Sequence, residues 1–469
     1  MAGLYTVEQI RAAEREAFTR VPLGSLMRRA AFAVALAALD ELRGHGGVYG
    51  RRVLVLAGRG NNGGDALFAG AELARRGVAV SALLLDPAQA HPDGLAALAA
   101  SGGRVVTDVP RCDLVLDGIV GIGGRSGLRP DAVRVLAELG RTPILAVDLP
   151  SGVDADTGVV DGVAVRATRT VTFGGLKVGL FTADGPAHAG RVQLADIGLR
   201  LPAAAARVLE QADVAALLPR PDAADDKYTR GVLGVIAGSA AYPGAGVLAT
   251  GAARRGGAGL IRYLGTAPAP IHDRYPDVVV SAGARPGDVR VQAWTIGPGI
   301  GTDADALARL REVLASDVAV LADADAITLL AGHRSLLRRA APTVLTPHDR
   351  EFARIAGAPG PDRLAAARRA AAELGVTLLL KGNATIVADP HGRVIVNPTG
   401  TPWLATAGSG DVLSGLIGSL LAAGLEPLLA AGVGAYLHGV AGQLAGTVGN
   451  PDAADVLAQL PAALRAVRA

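Results

Sequence analysis

At 469 residues, the chain is too long for a single hydrophobic core, so two or three domains are expected. Half of it is apolar and only 3% is aromatic, which excludes disorder over its length and points to cores packed by aliphatic side chains. Its 46 basic and 43 acidic residues leave a net charge of +3 and are interleaved, with no Lys or Arg run, so no nucleic-acid partner is expected.

The N-terminus MAGLYTVEQIRAAERE has no basic stretch ahead of an apolar one, so no signal peptide is expected. Thr6-Val7-Glu8-Gln9 has the pattern of a capping box, with Tyr5 and Ile10 spaced as a hydrophobic staple, and predicts a helix at once. The apolar stretches Ala30–Leu39 and Val412–Leu425 fall short of the roughly 20 residues of a membrane span and read as buried helices. Cys112 is the one cysteine. It excludes an internal disulfide and a Cys-based zinc site, reads as a buried spectator, and fits a reducing, cytoplasmic compartment.

Short apolar runs ending in Gly or Asp predict strands at Val53–Ala57, Ala79–Leu85, Leu114–Leu116, Ile144–Val147, Val171–Phe173 and Val192–Ala195. Ala-rich stretches such as Ala66–Arg76 and Asp131–Leu139 predict helices between them. Alternating strands and helices imply a mostly parallel sheet covered on both faces. Around Leu201–Asp226 the composition turns to Ala, Pro and charges, which places a linker at residues 211–226 between domains 1–210 and 227–469. A second series of strands follows at Val232–Ala237, Leu260–Leu264, Ala293–Ile296, Val318–Ala322, Thr343–Leu345, Thr377–Leu380, Thr385–Val387 and Val394–Val396. Two long helices, about Gly410–Ala423 and Pro427–Ala445, close it. The halves do not repeat one another, so the fold class is two fused, different α/β domains.

In the first half, Gly58-Arg59-Gly60-Asn61-Asn62-Gly63-Gly64-Asp65 follows a strand and opens a helix. Gly58, Gly60 and Gly63 satisfy the dinucleotide fingerprint, and Asp86 ends the next strand, which keeps a redox dehydrogenase in play. That fingerprint requires neither the Asn pair nor Asp65. Further acids end later strands, Asp117 in LVLDGIVGIGG and Asp148 in ILAVDLPSGVD, and parallel strand ends converge on one crevice. Oxygens of Asn62, Asp117 and Ser151, with backbone carbonyls, suit a hard monovalent cation. Taken singly, Asp65 also reads as a helix cap and Asp117 and Asp148 as turn residues.

NNGGD, D-x-x-x-G-x-G and VDLPSGVD, in that order, resemble the NAD(P)H-hydrate epimerase domain over roughly the first 210 residues. The resemblance implies a Rossmann-like doubly wound sheet. Asn61, Asn62, Gly63, Gly64 and Asp65, with Gly121, Ile122, Gly123, Gly124, Arg125, Ser126 and Gly127, would hold the cofactor's phosphates. Asn62, Asp117 and Ser151 would bind potassium, and Asp148 would contact the nicotinamide and move the proton at C6. Ala66 departs from the family's usual Gly.

In the second half, Gly408-Ser409-Gly410-Asp411 opens a long apolar helix. Backbone amides at the positive end of a helix dipole make an anion hole for a phosphoryl group, and Asp411 can accept a proton from an attacking hydroxyl. No Walker loop is present, so this is not a P-loop NTPase. The motif resembles the ribokinase-like superfamily. KYTRGVLGVIAGS, RRGGAGL, GPGIG, TPHDREFARI, KGNAT and NPTGTPWLATAGSGD, in series, are similar to the ADP- or ATP-dependent NAD(P)H-hydrate dehydratase over nearly everything after residue 225.

That resemblance implies a ribokinase-like α/β sandwich. Ala258, Gly299, His348 and Asp411 would contact the hydrated nucleotide; Lys381, Gly382, Asn383, Ala384, Thr385, Gly408, Ser409 and Gly410 would hold ADP or ATP, with magnesium. After His348, Asp349-Arg350-Glu351 departs from the usual Gly-Glu. His348 also reads as a helix cap, Lys381 as a solvated strand end, and His438 as a satisfied structural residue. The expected substrates are NADHX and NADPHX with ADP, the expected assembly a homo-oligomer, and no membrane partner is implied. The alternatives are a ribokinase-like small-molecule kinase with a nucleotide-binding N-terminal domain, and a nucleotide sensor that has lost turnover in its first half.

Overall fold

The structure, a computed structural model, describes every residue except Leu23, His45, Arg125 and Ala469. The chain divides into two compact units, Gly3–Ala206, and Arg207–Ala469 with Met1–Ala2. The expected linker is therefore not all linker. Gln211–Leu217 forms a helix in the second unit, with Val214 fully buried, and the strand Ala206–Val208 just before it pairs with the last strand of that unit's sheet.

In the first unit, helix α1 (Val7–Ala17) starts at the expected capping box. Thr6 Oγ1 accepts from Gln9 N (3.3 Å) and Gln9 Oε1 accepts from Thr6 N (3.0 Å). Helix α2 (Ser25–Gly44) buries Val34, Ala38 and Leu42. Seven parallel strands follow: β1 (Arg52–Ala57), β2 (Ala79–Leu84), β3 (Arg104–Val106), β4 (Leu114–Gly118), β5 (Ile144–Val147), β6 (Arg169–Phe173) and β7 (Arg191–Ala195). They lie in the order β3-β2-β1-β4-β5-β6-β7. Strand β3 escaped the sequence reading because its three residues, Arg104-Val105-Val106, are too few to show a period. Order reverses between β1 and β4, and a doubly wound sheet opens its ligand crevice at that point. Helix α3 (Asn61–Ala74) begins earlier than expected, so NNGGD forms its first turns.

The second unit continues with β8 (Val232–Ile236), β9 (Leu260–Tyr263), β10 (Val279–Val280), β11 (Ala293–Ile296), β12 (Ala319–Ala322), β13 (Thr343–Leu345), β14 (Thr377–Leu380), β15 (Ile386–Ala388) and β16 (Val394–Val396). Their order is β10-β9-β8-β11-β12-β13-β14-β15-β16. Pairing is parallel up to β14 and antiparallel from β14 to β16. Helices α4 (Pro243–Ala253), α5 (Ser409–Ala422) and α6 (Pro427–Gly446) pack over this sheet, and a further helix, Ala453–Arg468, follows the two expected at the end. By length and composition α6 could cross a membrane, but 72% of its apolar window is buried within the protein. It is a core helix. Cys112 is free and half-buried.

Candidate active sites

The first site grows from the loops at the β1/β4 reversal. The chain needs glycine there: a Cβ on Gly58 would lie 1.9 Å from Ile119 O, and one on Gly63 would lie 2.1 Å from Gly58 O. Gly60 caps α3 at φ +77° without a side-chain bond, which leaves the helix's first amides for an anionic group. A cavity of about 930 Å³ is lined by Asn61, Asn62 and Asp65 of α3, by Gly121, Ile122, Gly123, Gly124 and Gly127 after β4, and by Asp148 after β5. Gly63 and Gly64 pack behind it, the latter against His91. Ser126 turns away, donating to Val159 O and accepting from Asp161 N. Arg125 lies outside the described residues.

A second cavity of about 400 Å³ shares Glu14, Asn61, Asp65, Asp148 and Phe173 with the first and is walled by Phe18, Leu26, Met27 and Phe68. Asp148 stands at φ +68°, an uncommon conformation for a non-glycine residue. Its Oδ1 accepts from Lys177 Nζ, from Thr172 Oγ1 (3.2 Å) and from Phe173 N (3.2 Å). Lys177 is itself buried and also donates to Thr172 Oγ1 and Phe173 O. Asp65 is not a cap. It sits in the second turn of α3, and burial, with Asp148 and Glu14 nearby, pushes its carboxyl well above the usual range.

Asp117 and Ser151 meet directly. Ser151 donates through Oγ (2.6 Å) and N (2.8 Å) to the Asp117 carboxylate, and Ser151 Oγ accepts from Val120 N (2.9 Å). Burial pushes Asp117 up to about 6 in spite of these bonds. Asn62 stands beside the same loop, its amide 3.0 Å from where Gly121 would carry a Cβ, and its buried Nδ2 has no partner among the described residues. Oxygen donors with a single carboxylate fit a hard monovalent cation.

The second site lies where order reverses between β8 and β11. Gly238 N donates to Pro298 O (2.7 Å), and a Cβ on Gly299 would lie 2.9 Å from Ala245 Cβ. One turn along α4 from Ala245, Leu248 Cδ1 reaches within 2.5 Å of a Cβ placed on Gly408. Asp411 enters the first turn of α5, its Oδ2 3.8 Å from that same point on Gly408. Burial, then the charges of Asp323 and Asp325, raise the Asp411 carboxyl to about 7, against the pull of Lys381.

Asp323, buried at the end of β12, accepts from Lys381 Nζ (2.8 Å) and Ser414 Oγ (2.6 Å). Lys381 Nζ lies 3.2 Å from where Gly410 would carry a Cβ. Ser409 Oγ bonds His438 Nε2 (3.1 Å), and burial lowers that imidazole to about 4, so His438 supports the helix start as a neutral ring.

A family model described as NAD(P)H-hydrate dehydratase matches residues 233–459, and one described as YjeF-related protein N-terminus matches 23–179. The bifunctional NAD(P)H-hydrate repair enzyme Nnr of Mycobacterium tuberculosis is 52% identical over 90% of this chain and 89% of its own length. The chain belongs to the bifunctional NAD(P)H-hydrate repair enzymes. That of Mycobacterium leprae is 49% identical over 97% of this chain and 96% of its own. Among solved structures, the ADP/ATP-dependent NAD(P)H-hydrate dehydratase of Bacillus subtilis, co-crystallised with ATP and magnesium, matches with TM-score 0.50 and 30% identity over 55% of this chain and 97% of that one. A ribokinase-like superfamily protein of Enterococcus faecalis matches with TM-score 0.51 and 28% identity over 57% and 98%.

One expected contact of this repair enzyme is corrected. Ala258 precedes β9, at the end of the sheet away from Asp411, and its N donates to Ser419 Oγ (2.9 Å). Ser419 is nearly three turns along α5 from Ser409, about 15 Å at helical rise, so Ala258 does not join the site. Tyr242 and Ala245 stand beside Gly299 instead. His348 caps the helix Asp349–Ala356: its Nδ1 accepts from Arg350 N and Glu351 N, and Glu351 Oε2 accepts from His348 N. It still borders the site, because Lys381 N donates to Pro347 O (2.8 Å). Gly382 lies beside Lys381 against Arg363, Asn383 O against Gly400, and Ala384 and Thr385 are buried in the turn beyond.

The sequence reading missed Asp323, Asp325 and Lys177. Asp323 ends an apolar strand, the signal that singled out Asp117 and Asp148. Lys177 carried no local signal.

Proposed function

We propose that the two halves repair the same damaged cofactor in sequence. The N-terminal half interconverts the R and S forms of NADHX and NADPHX at C6, and the C-terminal half dehydrates the S form to NADH or NADPH at the expense of a nucleotide. The observation that carries the second activity is the placement of Asp411 against Gly408, beside Lys381 and Gly410. In this reading Asp411 takes the proton of the C6 hydroxyl while that oxygen attacks the nucleotide's terminal phosphorus. The bond to the nucleotide breaks. Phosphate then leaves C6 as the ring nitrogen's lone pair moves in, and loss of a C5 proton restores the dihydronicotinamide. Hydroxide is a poor leaving group and phosphate a good one, which gives a dehydratase its need for a nucleotide.

Gly299 and His348 would border the hydrated ring's nucleotide, while Lys381–Thr385 and Gly408–Gly410 hold the phosphoryl donor, which we take to be ADP. Magnesium would neutralise phosphate oxygens. In the first half, Asn61 and the Gly121–Gly127 loop would hold the cofactor's phosphates, and Asn62, Asp117 and Ser151 potassium, whose charge would offset the buried Asp117. We place the activity in the cytoplasm and expect a homo-oligomer, which light scattering would reveal.

The test is to incubate the purified protein with NADHX, ADP and magnesium and follow absorbance of the restored dihydronicotinamide. Asp411→Ala should abolish recovery and spare epimerisation; Asp148→Ala should do the reverse. Release of a stable phosphorylated acceptor without NADH would instead identify a kinase and sink the reading.

A further inference from the structure

The first site holds two buried carboxyl groups in opposite surroundings. Asp148 is held by the Lys177 ammonium, the Thr172 hydroxyl and the Phe173 amide. Asp65 lines the same two cavities, is 8% exposed, and its buried Oδ1 has no hydrogen-bond partner among the described residues. A carboxyl group so placed is a poor phosphate ligand, because a second negative charge would repel the phosphate. A buried acid without a partner is instead poised to donate a proton.

The charged groups around Asp65 agree. Asp148 and Glu14 oppose its ionisation along with burial, while Lys177 favours it less strongly. Arg11 offsets Glu14, Arg59 lines the larger cavity, and His91 lines the smaller. A buried acid that favours its protonated form, beside a carboxylate held by an ammonium, supplies the two partners of acid–base chemistry.

We propose that Asp65 is the general acid and Asp148 the general base of epimerisation, with Lys177 the residue that positions Asp148. This rests on the epimerase reading of the N-terminal half. C6 of the hydrate is a hemiaminal carbon, bonded to a hydroxyl oxygen and to ring nitrogen N1. Asp148 takes the hydroxyl proton, and the freed pair forms the C=O bond. The C6–N1 bond breaks with its pair going to N1, which takes the proton of Asp65. Rotation about C5–C6 presents the other face of the aldehyde. N1 then attacks, its proton returns to Asp65, and the oxygen recovers its own from Asp148. Nothing is oxidised or reduced, and both carboxyl groups end as they began.

The test follows the R-to-S ratio of NADHX by chromatography, with the full chain and no nucleotide, across pH. Wild type should lose rate at high pH as Asp65 gives up its proton. Asp65→Asn should slow interconversion by about 100-fold or more, leave dehydration of S-NADHX with ADP intact, and lack the alkaline limb. Lys177→Met should lower kcat with KM little changed, because Asp148 loses the group that positions it, and Lys177→Arg should restore the rate. Asp65→Asn that epimerises at close to the wild-type rate overturns the proposal. So does a wild-type profile with no alkaline limb, a result that needs no variant to fold. A wild type no faster than the spontaneous reaction would overturn the epimerase reading and this inference together, whereas a fast wild type beside a fast Asp65→Asn overturns the inference alone.

Discussion

Lys381 Nζ donates to Asp323 Oδ1 across 2.8 Å, although 58 residues separate the two in the chain. Burial works against the ammonium, but Asp323, Glu351 and Asp411 outweigh it and hold its pKa above the ordinary value. The cation is thus fixed beside Gly410, where a phosphate would arrive. Lys381→Met leaves Asp323 buried with, among the described residues, Ser414 as its remaining side-chain donor. Leaving one acceptor of a buried carboxylate without its half-buried cation costs about 1–3 kcal/mol, so urea unfolding should show a loss of that size, and titration should show weaker ADP binding.

The dehydratase should have an acidic limb near neutrality. A general base works only when ionised, and Asp411 is raised to about 7. Its kcat/KM should therefore be full above that value and fall as pH drops through it. Asp325→Asn removes one charge that raises Asp411 but can still accept from Gly301 N. The limb should move to lower pH in that variant. A limb that stays put in the pH profile would exclude Asp411 as its source.

Two glycines of the same motif should respond differently. Gly408 has φ +85°, and a Cβ there would lie 2.5 Å from Leu248 Cδ1. Gly408→Ala should cost about 1–2 kcal/mol from the left-handed backbone alone, visible as a lowered Tm. Gly410→Ala meets only the flexible end of Lys381, at 3.2 Å, and Asp323 Oδ2, at 3.8 Å. It should fold normally and bind ADP more weakly by calorimetry.

Potassium should stabilise the chain through Asn62, Asp117 and Ser151. A ligand that binds only the folded state adds about 2.7 kcal/mol at a hundred times its Kd. Replacing potassium by lithium should lower Tm and slow epimerisation. Asp117→Asn should remove the difference between the two salts in a melting experiment.

Ala66 stands where the epimerase pattern has Gly, and the structure accommodates it. Ala66 is fully buried, and its Cβ would lie 2.4 Å from a Cβ on Gly118, so the absence of a side chain at Gly118 makes room for the methyl. Ala66→Gly should destabilise by about 1 kcal/mol through helix propensity, with no gain in epimerase rate.

The alternation of strands and helices was legible in the chain, and so were the strand ends and helix starts that carry Asp65, Asp117, Asp148 and Asp411. Apolar periodicity and the backbone demands of glycine are local properties, written over a few residues. They placed β5, β11, β13, β14 and β16 at their observed bounds. They did not reveal that the linker begins with a packed helix, because burial of Val214 depends on the core around it. The family resemblance, for its part, did not reveal that Ala258, just before β9, lies at the end of the sheet away from Asp411.

The sequence by itself determined which residue types stand at the ends of strands and the starts of helices, and so the chemistry on offer. Only the tertiary structure decided the partners: Lys177 for Asp148, Lys381 and Ser414 for Asp323, and, among the described residues, none for Asp65 Oδ1. Parallel strands joined by crossovers bring distant segments to one edge, and the pairing of their side chains follows from the order and register of the sheet.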